Sequence, residues 1–190
     1  MICLLDGRMK TVKLYDFNKL ILFINERLNL DFSESHLNHD PLYINPWLSG
    51  FIDADGSFSI NRGPRFDLVQ ANTDHNNLSK KDIKLKLANY LQVSLSLISK
   101  SNGTSKKQYR VTTHNLASNK ILISYLNKYP LFSSKFLNFK DFEYIYNLHL
   151  NKEHLTIKNK ELIVSISKNK NNQRSIFIWD HLKYFYNMYN

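Results

Sequence analysis

The stretch that decides the fold is PWLSGFIDADGSFSI, residues 46–60. Its first half carries apolar side chains at the spacing of one helix face, which predicts a largely buried helix over residues 46–55. These apolar residues are Trp47, Leu48, Phe51 and Ile52. Asp53 and Asp55 follow directly before Gly56, and from Ser57 onward the residues alternate as they do in a strand. A helix that ends on two carboxylates and enters a strand at once is therefore the central feature of this sequence.

The two carboxylates need a physical explanation. Gly56 ends the predicted helix, so Asp55 lies at the helix C-terminus, which is the negative end of the helix dipole. A carboxylate is disfavoured there unless a cation compensates it, and a divalent metal meets that need. Mg²⁺ is typically held by one or two carboxylates together with waters and substrate phosphates. The pattern therefore predicts a magnesium centre at Asp55 that acts on a phosphate substrate.

Small residues lie one helical turn before the carboxylates. Ser49 and Gly50 allow the backbones of two helices to approach closely. We therefore predict that Ser49 and Gly50 are packing residues of this helix.

Composition and charge narrow the class of protein. The chain has 190 residues, of which 43% are hydrophobic, and this suits one domain with an appendage. Cys3 is the only cysteine, which excludes a disulfide framework and a cysteine-based zinc site. No apolar run reaches the length of a membrane-spanning helix, and charged residues near the start argue against a secretory signal, so we expect neither a membrane location nor secretion.

The positive charge is concentrated in one part of the chain. The net charge is +10, and residues 46–190 hold 21 basic and 10 acidic residues, a balance of 21 − 10 = +11. Such a body favours a nucleic-acid partner over the alternative of a merely solvated basic surface. The abundance of Asn and Lys is typical of an AT-rich coding genome and predicts a mitochondrion or another organelle.

Periodicity predicts an α+β fold. Residues 1–32 should form a helical N-terminal segment, 33–45 a linker, and 46–190 a nucleic-acid-binding domain. Two hairpins, over 57–72 and 94–113, should form a four-stranded antiparallel sheet with helices on one face. The other predicted helices span 16–30, 76–91, 115–128, 133–150, 160–167 and 176–188.

The open face of this sheet is the predicted nucleic-acid surface. Alternation places polar and basic side chains there, and such side chains can read base edges in the major groove. The alternative is an ordinary solvated sheet face. The candidate binding residues on the strands and their turns are Ser57, Ser59, Asn61, Arg62, Arg65, Lys100, Lys106, Lys107, Gln108, Arg110 and Thr112.

The segment LSGFIDADG, Leu48 to Gly56, is similar to the signature of the LAGLIDADG homing endonucleases and intron maturases. Two later stretches resemble further landmarks of that family: NKYPLFSSKFLNF over 127–139 and KEHLTIKNKELIVSISKNKN over 152–171. The resemblance implies an αββαββα fold and a pair of motif helices, from two subunits or two repeats, packed side by side. It also implies two saddle-shaped sheets that read a long DNA site.

The resemblance also assigns roles to individual residues. Asp55 corresponds to the catalytic acid and metal ligand, and the backbone carbonyl of Ala54 also faces the metal. Asp53 corresponds to a structural residue at the helix end. Lys135 corresponds to a catalytic lysine that stabilises charge on the phosphate, and Gln70 lies at a position that is often polar near the hairpin end.

Residues 1–45 resemble the tail of a first repeat, so the chain resembles the second half of a two-repeat member. Its one motif then requires either a homodimer or a separate first-repeat half. The first hairpin is short, and Asp67 would repel phosphates if it faced them. These departures leave a second function open: a catalytically silent RNA-binding protein, either an intron maturase or a structural component of an organellar ribonucleoprotein such as the mitoribosome.

Overall fold

The computed structural model describes residues 2–60, 63–99, 107–170 and 173–186, apart from the side chains of residues 184 and 186. The strands are β1 (Gly56–Ser59), β2 (Arg65–Ala71), β3 (Leu95–Ser99) and β4 (Lys107–Thr113). The helices are α1 (Ile2–Leu5), α2 (Leu14–Leu28), α3 (Trp47–Asp55), α4 (Lys81–Tyr90), α5 (Leu116–Lys128), α6 (Lys135–Leu150), α7 (Ile157–Lys168) and α8 (Asp180–Tyr186). A 3₁₀ turn, Glu153–Leu155, joins α6 to α7. No helix within the described ranges is both long enough and apolar enough to span a bilayer.

The four strands form one antiparallel sheet in the order β1-β2-β4-β3. Phe58 pairs with Phe66, and Leu68 pairs with Val111, so these buried side chains share one face of the sheet. That face packs against a core to which α3, α4, α5 and α6 all contribute. The predicted α+β architecture with helices on one face is therefore confirmed.

Two helix boundaries differ from the prediction. The helix predicted from residue 76 begins at Lys81, because the Asp74 carboxylate accepts hydrogen bonds from the backbone N–H groups of Asn76 and Leu78 and holds a turn there. The helix predicted from residue 176 begins at Asp180. The residues before it are rich in isoleucine and aromatic side chains, which are weak helix formers.

The junction of α3 and β1 requires glycine at position 56, because it has no room for a side chain. Its φ of −75° and ψ of 154° are available to any residue. A Cβ at this position would lie 2.7 Å from the Ile52 carbonyl oxygen and 2.8 Å from the Phe66 ring. The absence of a side chain therefore lets the end of α3 lie directly on the second strand.

The N-terminal segment is held together by side-chain hydrogen bonds. Asn18 exchanges two hydrogen bonds with the backbone of Ser35, and Asn25 exchanges two with Phe32, so the chain after α2 runs back along that helix. Leu42, in the predicted linker, is buried in the main core. The segment over 33–45 thus has no regular secondary structure, but it contacts both α2 and the main domain.

Candidate metal centre and nucleic-acid interface

Asp53 is turned toward the loop that precedes α6. Its Oδ2 accepts hydrogen bonds from the backbone N–H groups of Phe132 at 2.8 Å and Ser133 at 2.9 Å. Its Oδ1 accepts a third from the Ser133 hydroxyl at 2.5 Å. This carboxylate therefore ties the end of α3 to the start of α6.

Lys135 lies on the C-terminal carbonyl groups of α3. Its ammonium group donates to the carbonyl oxygens of Asp53 at 2.6 Å, Ile52 at 3.2 Å and Ala54 at 3.3 Å. Burial lowers the pKa of Lys135, and the negative charges of Asp53 and Asp55 partly oppose that shift. The cation that the helix dipole demands is thus supplied by the chain itself. Consequently the dipole alone no longer argues for a metal, and the Ala54 carbonyl is shared with this lysine.

Asp55 lies on the opposite side of the helix end and is exposed. Its Oδ2 accepts a hydrogen bond from the Gln70 side chain at 2.5 Å. No other described residue donates to this carboxylate, so one oxygen remains available. Asp55 and the Ala54 carbonyl offer hard oxygen donors of the kind that Mg²⁺ prefers, but they supply only part of a six-coordinate shell. The residues present fit a metal whose other ligands are water, phosphate or a second helix end.

A buried lysine lies beneath this site. Lys84, on α4, is 0% exposed, and its ammonium group lies 4.6 Å above the ring of Phe51 on α3. It has no hydrogen-bond partner among the described residues. Burial lowers its pKa to about 7, Asp55 opposes the shift, and Lys80 adds to it. Sequence reasoning missed Lys84, although it lies three residues before Leu87 and so falls within the apolar stripe of its helix.

The outer face of α3 borders a groove of about 730 Å³. The other wall of the groove is residues 8–13 of the N-terminal segment, and Asp55 and Gln70 lie at its edge. The α3 residues that line it are Trp47, Gly50, Phe51, Ala54 and Asp55. Ser49 is not among them. It is 1% exposed, its backbone N–H donates to the Tyr125 hydroxyl oxygen on α5, and its Oγ donates to the Pro130 carbonyl. Of the two small residues predicted to allow close helix packing, only Gly50 faces the groove.

The open face of the sheet is organised around Asp67. The Arg65 side chain donates to Asp67 through Nε at 2.7 Å and Nη2 at 3.0 Å. The Arg110 Nε donates at 2.8 Å and the Thr112 hydroxyl at 2.6 Å. Asp67, which would repel phosphates if it faced them, is hydrogen bonded here to the two arginines that were predicted to bind nucleic acid.

The strand register sorts the other predicted binding residues. Ser57 and Thr112 flank Asp67 across the sheet, and Ser59 pairs with Arg65, so all of them share the open face. Six predicted residues lie on that face: Ser57, Ser59, Arg65, Gln108, Arg110 and Thr112. Lys107 pairs with Ser99 and alternates onto the helix side, where it is exposed at the strand end, and its role in nucleic-acid binding stays a prediction. Asn61, Arg62, Lys100 and Lys106 lie outside the described residues.

A second group of potential metal ligands does not include Asp55. Single ligand atoms of Asp16, Asp74 and His75 lie within 4.8 Å of one another. Hydrogen bonds already join these residues to their neighbours: Asp74 closes the turn before α4, and Asp16 accepts from the Asn76 side chain. The group links α2 to the loop after β2 without requiring an ion.

The helix that enters a hairpin, the acid at its end and the four-stranded sheet define a LAGLIDADG-type domain. The LAGLIDADG endonuclease family model matches residues 48–146, from α3 into α6. The chain belongs to the LAGLIDADG endonuclease family, as the sequence resemblance predicted.

The chain is similar to one curated relative and to two solved structures in particular. It is 31% identical over 224 aligned positions to the intron-encoded DNA endonuclease aI3 of Saccharomyces cerevisiae, an alignment that covers 96% of this chain and 54% of that protein. The LAGLIDADG homing endonuclease I-GzeII, solved with its DNA target, is 20% identical with a TM-score of 0.59 over 82% of this chain and 53% of that one. The LAGLIDADG meganuclease I-AabMI, solved with uncleaved DNA, is 27% identical with a TM-score of 0.54 over 76% of this chain and 50% of that one. The chain thus spans about half the length of each.

Proposed function

We propose that this chain is one half of a metal-dependent DNA endonuclease of the intron-encoded type. The observation that carries the proposal is the position of Asp55. This carboxylate is exposed at the edge of the groove, keeps an oxygen that no described residue occupies, and leaves the structural role to Asp53. The name of the Saccharomyces cerevisiae relative, an intron-encoded DNA endonuclease, supports the same activity.

The groove beside α3 is where a second motif helix fits. Its α3 wall presents Gly50 and Ala54, which allow a close approach of backbones, between the aromatic side chains of Trp47 and Phe51. The second helix comes from another copy of this chain or from a separate first-repeat half. The segment over residues 1–45 favours the second source, because the alignment with the yeast protein spans 96% of the chain and so includes this segment.

Each residue at the helix end has a separate role in the proposed phosphodiester hydrolysis. Asp55 and the Ala54 carbonyl are the chain's ligands for Mg²⁺, which when bound polarises the phosphate and lowers the pKa of a bound water. Gln70 orients the Asp55 carboxylate through its hydrogen bond. Lys135 holds a positive charge at the same helix end, where it stabilises negative charge that develops on the phosphate.

The open sheet face supplies the nucleic-acid surface, and its polar and basic side chains suit the major groove of DNA. The balance of +11 over residues 46–190 adds affinity for phosphates that does not depend on sequence. The Asn- and Lys-rich composition and the intron-encoded relatives support an organellar origin, such as a mitochondrion.

A second candidate function is RNA binding without cleavage, as in an intron maturase or a component of a ribonucleoprotein. One observation favours it: the Lys135 ammonium group already compensates the carbonyl end of α3 and contacts the Ala54 carbonyl. A helix end that has its own cation is stable without a metal, so the fold survives the loss of catalysis.

The test is a cleavage assay of the purified chain with Mg²⁺ on a library of long randomised duplexes, in which cut ends are identified by sequencing. Asp55→Asn should bind the selected duplexes but cut them roughly 10³-fold more slowly, because the metal loses its protein carboxylate. Asp82→Asn is the matched control, since Asp82 is an exposed carboxylate on α4.

Each other outcome is informative. Equal cleavage by wild type and Asp55→Asn would remove Asp55 from the mechanism. Binding of structured RNA by wild type and Asp55→Asn alike, with no cutting of any duplex, would establish the second candidate in place of the first. Sedimentation of the active fraction distinguishes a homodimer from a chain that needs a separate half.

A further inference from the structure

The Asp67 cluster on the open sheet face treats its two arginines differently. Arg65 donates hydrogen bonds to Asp67 from both Nε and Nη2, and the two residues form a bidentate ion pair within β2. Arg110 donates to Asp67 through Nε only. Among the described residues none accepts a hydrogen bond from the two terminal amino groups of Arg110, and 35% of its side chain is exposed. Arg110 is therefore fixed at its inner nitrogen and open at its outer end.

The Asp67 carboxylate has no capacity left for a ligand of its own. It accepts four hydrogen bonds within the cluster, and its side chain is only 17% exposed. Burial by itself would raise the pKa of Asp67, but the hydrogen bonds from Arg65, Thr112 and Arg110 lower it below its usual range. The carboxylate stays ionised, and its hydrogen-bonding capacity is taken up by the two arginines and Thr112.

The charge of the cluster determines which ligand it suits. Two arginines and one aspartate sum to +1, and the negative charge lies directly between the two positive ones. A phosphate at Arg110 would approach that carboxylate and be repelled by it. A neutral base edge carries no such penalty and gains from a guanidinium whose orientation is already fixed.

We propose that Arg110 reads a guanine in the major groove through its terminal amino groups, and that Asp67 is the positioning residue that holds it in that orientation. Guanine presents two acceptors, O6 and N7, at the spacing of an arginine fork. The inference rests on the proposed function, because it takes duplex DNA as the ligand of this sheet face.

The test is a binding selection from a library of randomised duplexes, in which base preference at every position is compared between wild type and variants. Wild type should prefer guanine at one position in its half-site by roughly 10- to 100-fold, the range of a good bidentate contact. Arg110→Gln should move the preference at that position from guanine to adenine, the partner of a bidentate amide. Lys120→Gln, an exposed change on the helix side, is the control.

Asp67→Asn tests the positioning role separately. It should reduce the guanine preference several-fold while affinity for mixed-sequence DNA stays equal or rises, because a negative charge is removed from the surface. A purely structural role would lower affinity for all sequences together and leave the base preference unchanged. Thermal melting of each variant confirms that it is folded, and Arg110→Lys gives a second reading of the contact if Asp67→Asn does not fold.

Three results would overturn the inference. Unchanged preference in Asp67→Asn removes Asp67 as a positioning residue. A uniform loss of affinity in Arg110→Gln, with a weaker dependence on salt, makes Arg110 a phosphate contact. Wild type that selects a sequence without any Arg110-dependent guanine refutes this inference alone, whereas wild type that binds no duplex refutes the proposed function with it.

Discussion

The two faces of α3 differ in how closely they are packed against the rest of the chain. On the inner face Leu48, Ser49 and Ile52 are buried, and Ser49 is hydrogen bonded to Tyr125 and Pro130. On the outer face Gly50 has no atom within 4 Å of the position a Cβ would take, and the neighbouring side chains border the groove. One helix thus serves as the core of this domain on one side and as an unfilled packing surface on the other.

The same division runs through the two carboxylates at the helix end. Asp53 is on the packed side, where it accepts three hydrogen bonds from the loop before α6. Asp55 is on the open side, where Gln70 is its one hydrogen-bond donor among the described residues. One carboxylate is therefore part of the internal contacts of the domain, whereas the other remains accessible, as the proposed metal site requires.

The largest effect is expected on the inner face. Ile52→Ala should lower the free energy of unfolding by about 2–5 kcal/mol, because it opens a cavity at a fully buried site. Trp47→Ala, on the outer face, should cost only about 1 kcal/mol in the isolated chain, since its ring stacks on Phe51 but remains partly exposed. Urea unfolding of both variants measures the contrast, and equal losses would show that the two faces are equally packed.

Lys84 is a buried group whose replacement is expected to stabilise the fold rather than weaken it. Its pKa falls from 10.5 in the unfolded chain to about 7 in the folded one. Between these values the unfolded chain binds more protons, so stability should rise with pH from about 7 toward 10, and below pH 7 the full cost of the buried charge is present. Lys84→Met should therefore raise the free energy of unfolding by on the order of 2–3 kcal/mol at pH 6 and by less at pH 10.

The matched control for that experiment is Lys86→Met, because Lys86 is exposed on the same helix. Denaturant unfolding at pH 6, 8 and 10 gives the comparison. A gain from Lys84→Met that does not vary with pH would show that the pKa of Lys84 is the same in the folded and unfolded chains, so that burial does not lower it.

Substitutions of the two carboxylates should have smaller effects on stability, and the two effects should differ. Asp53→Ala leaves the N–H groups of Phe132 and Ser133 without their acceptor, and should cost about 1–3 kcal/mol. Asp55→Asn should change stability by no more than about 0.5 kcal/mol, because the relief of a negative charge at the negative end of a helix is offset by the loss of its attraction to Lys84 and Lys135. Urea unfolding at pH 7 measures both, and a loss in Asp55→Asn as large as that in Asp53→Ala would contradict the division of roles.

Local patterns in the sequence were sufficient for the fold. The switch from helical spacing to alternation at Gly56 predicts the junction of α3 and β1, and the two hairpins follow from alternation and turn residues. The start of α4 was missed because the Asp74 turn competes with the helix, and a side chain that bonds to its own backbone is hard to distinguish from a helix cap in sequence.

The contacts around the site join residues that are far apart in the chain. Lys135 reaches the carbonyl of Asp53 over 82 residues, and Arg110 reaches Asp67 over 43. Spacing carries no information on such pairs, so the sequence left open whether Asp67 faces phosphates and did not show that it is hydrogen bonded to two arginines. The sequence could place Asp55 at a helix end, but it could not show that a lysine already compensates that end.

The smallest effect is expected at Gly50, and it tests the open side of α3 directly. Glycine within a helix costs roughly 0.5–1 kcal/mol relative to alanine, and the site has room for a methyl group, so Gly50→Ala should stabilise the isolated chain by that amount. The same methyl group would hold a second helix away from α3, so the proposed assembly should be weakened while the chain itself becomes more stable. Urea unfolding at low concentration and sedimentation at high concentration should therefore move in opposite directions. If both rise, or if association is unchanged, the outer face of α3 does not pair with another helix, and the groove beside it must be filled by some other means.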